Sequence, residues 1–135
     1  MFLAFFLIFA VMPLFPDGLK TEIRTENYFL PSIKVIAQDF SRKDRVAVAA
    51  NLAESNRWEK NGIEYRFFLE SLYKLPISGS ELNDYKQANV LYLIDEGELK
   101  DPLKMGGMEM ETFSPVKIEK VWEVETGQKI YKMIK

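Results

Sequence analysis

The stretch Val90-Leu-Tyr-Leu-Ile94, followed at once by Asp95-Glu96-Gly97, is the clearest strand signal in the chain. An uninterrupted apolar run of this length, bounded by turn residues, is typical of a strand that is buried on both faces. Acidic residues and glycine directly after the run predict a turn. Residues 90–94 are therefore predicted to form a buried strand of a sheet. The other elements are predicted relative to this strand.

Two further strands are predicted upstream. Arg45-Val-Ala-Val-Ala-Ala50 is a second short apolar run that suits burial on both faces. Leu75-Pro-Ile-Ser78 predicts a short edge strand, because Pro76 has no N–H to donate to a ladder. If the sheet is parallel, the carboxyl ends of these strands meet at one edge, at Asn51, Ser78-Gly79 and Asp95-Glu96.

Helical patterns separate the strands. Ser32 is a candidate N-cap for an amphipathic helix whose apolar stripe is Ile33, Ile36, Ala37 and Phe40. A second helix is predicted over residues 63–73, after Gly62. The pair Ser78 and Glu81 matches a capping box that would open a third, short helix through Tyr85.

The C-terminal part predicts a long loop followed by a hairpin. Residues 97–113 contain Gly106-Gly107 and are expected to form the loop. Residues 116–124 and 129–134 predict two strands joined by a turn in which Gly127 supplies a positive φ. The order of elements predicts a small, Rossmann-like three-layer α/β domain over residues 32–135, with a mostly parallel sheet and a C-terminal antiparallel β-hairpin.

Composition limits the chemistry. The chain has 135 residues, no Cys and no His, and 18 Lys and Arg against 20 Asp and Glu, for a net charge of −2. Without Cys and His there are no thiolate nucleophiles, no Ser-His triads and almost no catalytic zinc sites. The slight acidic balance argues against a nucleic-acid partner. No catalytic residue, metal ligand or cofactor is predicted.

Residues 1–16, the apolar head, carry no charge at all. No Lys or Arg precedes them and no A-x-A-like cleavage site follows, as a signal peptide would require. As a helix they would span about 24 Å, somewhat less than the hydrocarbon core of a bilayer. A whole or truncated membrane helix in contact with membrane lipid is expected, with residues 17–31 as a connector. The alternative is an element buried in the domain core.

Polar residues at the predicted strand ends are the candidate ligand site. Asn51, Asp95 and Glu96 could bind a small molecule or sugar. The alternative is that such residues cap loops and turns. Asp95, Glu96, Glu98 and Asp101 could likewise be a Ca²⁺ site or a solvated acidic turn, and Met105, Met108 and Met110 a soft-metal site or a cover over the core.

An aromatic and basic group surrounds the second predicted helix. It consists of Trp58, Tyr65, Arg66, Phe67 and Phe68. Side chains of this kind can meet a sugar or the headgroups at a membrane surface. The alternative is that a stripe with helical spacing belongs to the core.

Three segments, 61–69, 88–97 and 121–131, resemble the C-terminal end of polytopic membrane glycosyltransferases of the GT-C type. These are the enzymes akin to dolichyl-phosphate-mannose protein mannosyltransferases and bacterial lipid-linked sugar transferases. The segments read Asn61-Gly-Ile-Glu-Tyr-Arg-Phe-Phe-Leu69, Ala88-Asn-Val-Leu-Tyr-Leu-Ile-Asp-Glu-Gly97 and Val121-Trp-Glu-Val-Glu-Thr-Gly-Gln-Lys-Ile-Tyr131.

The resemblance implies a last transmembrane helix followed by an extracytoplasmic α/β tail domain. The family's donor is a polyprenyl-phosphate sugar, and its catalytic acids lie in a loop of the membrane half with which no position here corresponds. It therefore implies a fragment that contains a non-catalytic domain at a membrane and partners the transmembrane part of a glycosyltransferase. The alternative is a stand-alone, membrane-anchored or secreted sugar-binding module.

Overall fold

The computed structural model describes residues 24–53 and 60–135. The helices α1 to α4 and a short 3₁₀ helix are interleaved with the strands β1 to β4. In chain order they are α1 (Glu26–Asp39), β1 (Val46–Asn51), α2 (Ile63–Tyr73), α3 (Leu82–Gln87), β2 (Val90–Asp95), the 3₁₀ helix (Pro102–Lys104), α4 (Met108–Phe113), β3 (Lys117–Glu123) and β4 (Lys129–Ile134).

The four strands form one mixed sheet in the order β1-β2-β4-β3. β1 and β2 run parallel with Asn51 opposite Asp95, whereas β4 is antiparallel to both β2 and β3. The α/β class and the C-terminal hairpin are confirmed, but the prediction of a mostly parallel sheet is wrong. The hairpin extends the sheet at the β2 edge, where β4 pairs with β2. Because residues 75–78 contribute only an isolated bridge, antiparallel pairs are in the majority.

Helices cover both faces of the sheet, which gives three layers. On one face, α1 and α2 pack against the alternate residues Val46, Val48 and Ala50 of β1. On the other face, α3 and α4 pack against Ala47 and Ala49. β2 is buried along its whole length, as the apolar run from Val90 predicts. β2 therefore lies between two hydrophobic cores, one on each face of the sheet.

The connection from β1 to β2 wraps around the free edge of β1. The Ala50 N–H donates to the Lys60 carbonyl at 2.8 Å, and the Ser78 N–H donates to the Val46 carbonyl at 2.8 Å. Residues 75–78 were predicted as an edge strand, and the structure has there a single parallel bridge between Ile77 and Val46. The edge of β1 is thus protected from pairing with another chain.

α1 begins at Glu26, within the predicted connector, and Pro31 lies inside the helix. The sequence predicts a start at Ser32, a candidate N-cap in front of the apolar stripe, with the connector ending at Pro31. Burial explains the difference. Phe29 extends the apolar stripe of Ile33 and Ile36 by one turn, and its ring lies 5.0 Å from that of Tyr65. Packing of this face outweighs the hydrogen bond that Pro31 cannot make.

Two other local predictions differ from the structure. The third helix is capped by Glu81 and Asp84, not by Ser78 and Glu81, and begins at Leu82. The predicted loop 97–113 contains the 3₁₀ helix and α4. Met105 and Met110 are buried in the second core, which agrees with a methionine cover, whereas Met108 is exposed.

Gly62 occupies a position that requires glycine. Its φ is +56°, and a Cβ there would lie 3.0 Å from Val48 Cγ1. We expect Gly62→Ala to lower the free energy of unfolding by about 1–3 kcal/mol, because it adds left-handed strain and a contact with β1. Chemical denaturation monitored by circular dichroism measures the loss. Gly106→Ala is the control, because no atom lies within 4 Å of that position, and an equal loss there would contradict the prediction.

Asp39, at the end of α1, joins the first helix to the hairpin. Its carboxylate accepts hydrogen bonds from the Tyr92 hydroxyl at 2.7 Å and from the ammonium groups of Lys120 and Lys132. Lys132 also pairs with Glu119 at 3.0 Å. Burial by itself would raise the pKa of Asp39, but these hydrogen bonds outweigh it and hold the pKa below its ordinary value.

The lowered pKa of Asp39 predicts a loss of stability in acid. A carboxylate whose pKa is depressed by folding stabilises the fold above the unfolded value, here 3.8, and the contribution disappears as pH falls through the folded pKa. We expect wild type to be more stable than Asp39→Asn at neutral pH, with the difference shrinking below pH 3.8. Denaturation at a series of pH values measures this, and parallel curves for the two proteins would contradict it.

None of the helices in residues 24–53 and 60–135 is long and apolar enough to cross a membrane. The prediction of a membrane helix concerns residues 1–16 and lies outside the described part of the chain.

Candidate functional site

The structure brings Asn51, Asp95 and Glu96 together at the carboxyl ends of β1 and β2. Asn51 and Asp95 are partners in the parallel register, and the Asn51 Nδ2 donates to Asp95 Oδ1 at 2.7 Å. The Glu96 N–H donates to the Asn51 carbonyl at 2.8 Å. Ser78-Gly79, which was also expected at this edge, lies at the other end of β1, beside Val46.

Asp95 is buried and directs its carboxylate at its own chain. Besides Asn51, it accepts hydrogen bonds from the N–H groups of Gly97 and Leu99, both at 3.0 Å. Its side chain therefore closes the turn that follows β2, as Asp commonly does after a strand. A ligand at this carboxylate would have to displace backbone hydrogen bonds that hold the turn.

Glu96 is the centre of a polar group that we call the Glu96 cluster: Arg24, Glu64, Tyr65 and Glu96. The Glu96 side chain is only 3% exposed. It pairs with the Arg24 guanidinium and accepts a hydrogen bond from the Tyr65 hydroxyl at 2.6 Å. Arg24 also lies 3.5 Å from the Glu64 carboxylate. The guanidinium and the hydroxyl together supply this largely buried carboxylate with a charge partner and a hydrogen-bond donor.

Arg24 is held by aromatic rings as well as by charge. Its guanidinium carbon lies 4.9 Å from the centroid of Phe29 and 5.6 Å from that of Tyr28. Cation–π contact and ion pairing together fix the first described residue of the chain against the end of the sheet. α1 supplies the rings, α2 supplies Glu64, and the turn after β2 supplies Glu96, so three elements meet at this side chain.

Tyr65 connects the Glu96 cluster to the hairpin. Burial, followed by the hydrogen bond and the negative charge of Glu96, raises the pKa of Tyr65 well above its ordinary value, so its hydroxyl acts as a donor. Gln128, in the β3–β4 turn, acts in the opposite direction and lowers the pKa of Tyr65. Its amide also donates to the Tyr28 carbonyl at 2.9 Å. The cluster thus locks the hairpin turn, α1 and α2 to one end of the sheet.

Sequence reasoning missed Arg24 and placed Tyr65 only in the aromatic group. Arg24 lies in the predicted connector and has no local pattern that would mark it as a partner of Glu96, 72 residues away. In the aromatic group, Tyr65 is fully buried and Phe68 packs against the first core, whereas Phe67 is 61% exposed. Trp58 lies outside the described residues.

The described residues contain no group of three or more acidic side chains placed to hold a metal ion. A surface groove of about 290 Å³ lies elsewhere, between the 3₁₀ helix and α4, and includes none of Asn51, Asp95 and Glu96 in its lining. The polar groups at the strand ends are therefore donors and acceptors of an internal network. No protein-family model, curated protein or solved structure matches this chain.

Proposed function

We propose that this chain is a non-catalytic, extracytoplasmic α/β domain of a GT-C-type membrane glycosyltransferase, tethered to the bilayer by residues 1–16. We also propose that the fold of this domain is Rossmann-like. The observation that carries it is the position of Arg24. Eight residues after the charge-free apolar head, this side chain is clamped by Glu64 and Glu96 at the end of the sheet.

A tether attached in this way would hold the domain at the membrane surface in a defined manner. Ion pairs to a largely buried carboxylate, and rings packed on the guanidinium, resist rotation of the chain about its attachment point. These contacts support a domain that is held in a defined position relative to the bilayer.

Three segments support the glycosyltransferase assignment. The segments that resemble the GT-C tail are 61–69, 88–97 and 121–131, and they contribute Tyr65, Glu96 and Gln128. Tyr65 and Glu96 are joined by a hydrogen bond, and Gln128 donates to the Tyr28 carbonyl in α1. The segments that carry the resemblance thus include residues whose contacts hold this end of the domain together. The resemblance also implies a polyprenyl-phosphate sugar donor, which a separate transmembrane part would bind.

A sugar-binding module that uses Asn51, Asp95 and Glu96 is less favoured by the geometry. Asp95 accepts three hydrogen bonds from its own chain. Glu96 is shared between a guanidinium and a hydroxyl. A sugar would have to replace these internal partners with hydroxyl groups, which are weaker donors to a carboxylate than Arg24.

Membrane fractionation tests the tether. The full chain should sediment with membranes and resist alkaline carbonate extraction. The double variant Leu7→Asp, Ile8→Lys should be released, because each charge costs roughly 2.5–3.5 kcal/mol within a spanning helix. The control variant Met108→Asp, Val116→Lys introduces the same two charges at exposed positions of the domain. It should stay bound to the membrane. A released wild-type chain, or a retained Leu7→Asp, Ile8→Lys variant, would refute the tether.

Topology and activity test the remainder of the proposal. Because the chain has no Cys, the exposed Ser80 can be replaced by a unique cysteine. Ser80→Cys should react with a membrane-impermeant maleimide on intact cells; reaction only after lysis would contradict an extracytoplasmic domain. The full chain, affinity-purified from membranes of its native source, should co-isolate lipid-linked sugar transferase activity. Turnover by the isolated chain would contradict a non-catalytic role.

A further inference from the structure

Two large apolar side chains on α2 face solvent one helical turn apart. Ile63 is 50% exposed and Phe67 is 61% exposed, whereas Tyr65 and Leu69 on the opposite side of the helix are fully buried. Positions four residues apart lie on one face of a helix. Ile63 and Phe67, which we call the apolar corner, therefore form a short exposed stripe in the first half of α2, and Leu72 and Tyr73 at the end of the helix are also exposed.

The apolar corner lies beside the point where the apolar head connects to the domain. Glu64, between the two residues in sequence, pairs with Arg24 at 3.5 Å. The Phe67 ring is 5.3 Å from the Phe68 ring, which in turn is 5.3 Å from Phe29 in the first turn of α1. The start of α1 and the start of α2 are thus adjacent, and Arg24 contacts residues of both.

The length of chain before Arg24 limits how far this corner can be from the bilayer. Pro16 ends the apolar head, and eight residue steps separate it from Arg24. At roughly 3.6 Å per step, the connector spans about 29 Å at most. This reach is close to the diameter of a domain of this size, about 30 Å from its radius of gyration. A head held in the bilayer therefore keeps the corner, which lies beside Arg24, within roughly this distance of the point where the head ends.

We propose that the apolar corner inserts into the lipid interface of the bilayer that holds the apolar head. The inference rests on the proposed tether. Exposed aromatic and aliphatic side chains are suited to the boundary between headgroups and acyl chains. The charge of Glu64 is partly offset by Arg24, which it shares with Glu96. Insertion would remove the side chains of Ile63 and Phe67 from water. It would also fix the orientation of the sheet relative to the membrane.

Site-specific fluorescence on the full chain tests the inference. An environment-sensitive label is attached to Ile63→Cys, which is unique because the chain has no native Cys. The protein is reconstituted into phosphatidylcholine vesicles. We expect a blue-shifted emission that is quenched by lipids spin-labelled roughly 5–10 Å below the headgroups. Adding Phe67→Ser should abolish most of the quenching.

The matched control carries the label at Val116→Cys. Val116 is 73% exposed, and its N–H donates to Ile134, which pairs with Val90 at the opposite end of β2 from Glu96. This label should stay unquenched. Vesicle flotation separates the two hypotheses. Protein that floats without quenching at position 63, or with equal quenching at position 116, overturns insertion of the corner and leaves the tether intact. Protein that does not float overturns the tether and, with it, the inference.

Discussion

Replacing Glu96 by glutamine is expected to lower the free energy of unfolding by about 3 kcal/mol. The substitution keeps the shape of the side chain and an acceptor for the Tyr65 hydroxyl, but removes the charge that faces Arg24. The Glu96 side chain is 3% exposed, so water cannot replace the lost partner. Glu64 remains beside Arg24, which places the expected effect at the low end for a broken buried ion pair.

Thermal and urea denaturation of the full chain in a mild detergent, followed by circular dichroism, measures this change. Glu98→Gln is the matched control, because Glu98 is an exposed acid in the same turn. It should shift the free energy of unfolding by less than about 0.5 kcal/mol. A Glu96→Gln variant as stable as the control would show that the Glu96 cluster does not hold the domain together, and would remove the structural support for a fixed tether.

The second large effect is expected in the core on the other face of the sheet. Phe113, at the end of α4, is fully buried among Tyr85, Met110, Leu91 and Leu93. Phe113→Ala should lower the free energy of unfolding by about 3–5 kcal/mol, because it removes a ring and leaves a cavity that the surrounding strands cannot fill.

Phe67→Ala provides the same chemical change at a position that is 61% exposed. It should cost less than about 1 kcal/mol, since little apolar area returns to water. Denaturant titration of the two variants under one condition gives the comparison. Equal losses, or a small loss at Phe113, would mean that α4 does not cover the sheet as described. The loop prediction for residues 97–113 would then regain support.

Local patterns in the sequence predicted most of the elements correctly. The apolar runs at Val46–Ala50 and Val90–Ile94, the helix after Gly62 and the hairpin about Gly127 are all present. These features depend on neighbours within a few residues, such as alternation, turn residues and apolar runs. Where packing against distant residues decided the outcome, as in the start of α1 at Glu26 or the helix over Met108–Phe113, local patterns were insufficient.

The candidate site shows the same division. Asn51 and Asp95 could be placed together from sequence because both end strands that were predicted to run parallel. The partners of Glu96 could not, because Arg24 and Tyr65 reach it from other helices. A sequence pattern gives no distance between side chains in different elements, so it could not distinguish a ligand site from an internal network.

The residue pattern is sufficient to predict an α/β body with a buried strand at Val90–Ile94, a C-terminal hairpin and a charge-free N-terminal segment. Those features follow from which residues are apolar and how they are spaced. The pairing of β4 with β2, the mixed sheet and the ion pairs of Arg24 with Glu64 and Glu96 are seen only in the folded chain. Strand order and ion pairing depend on contacts between residues that are far apart in the sequence. The spacing of residues along the chain does not specify those contacts.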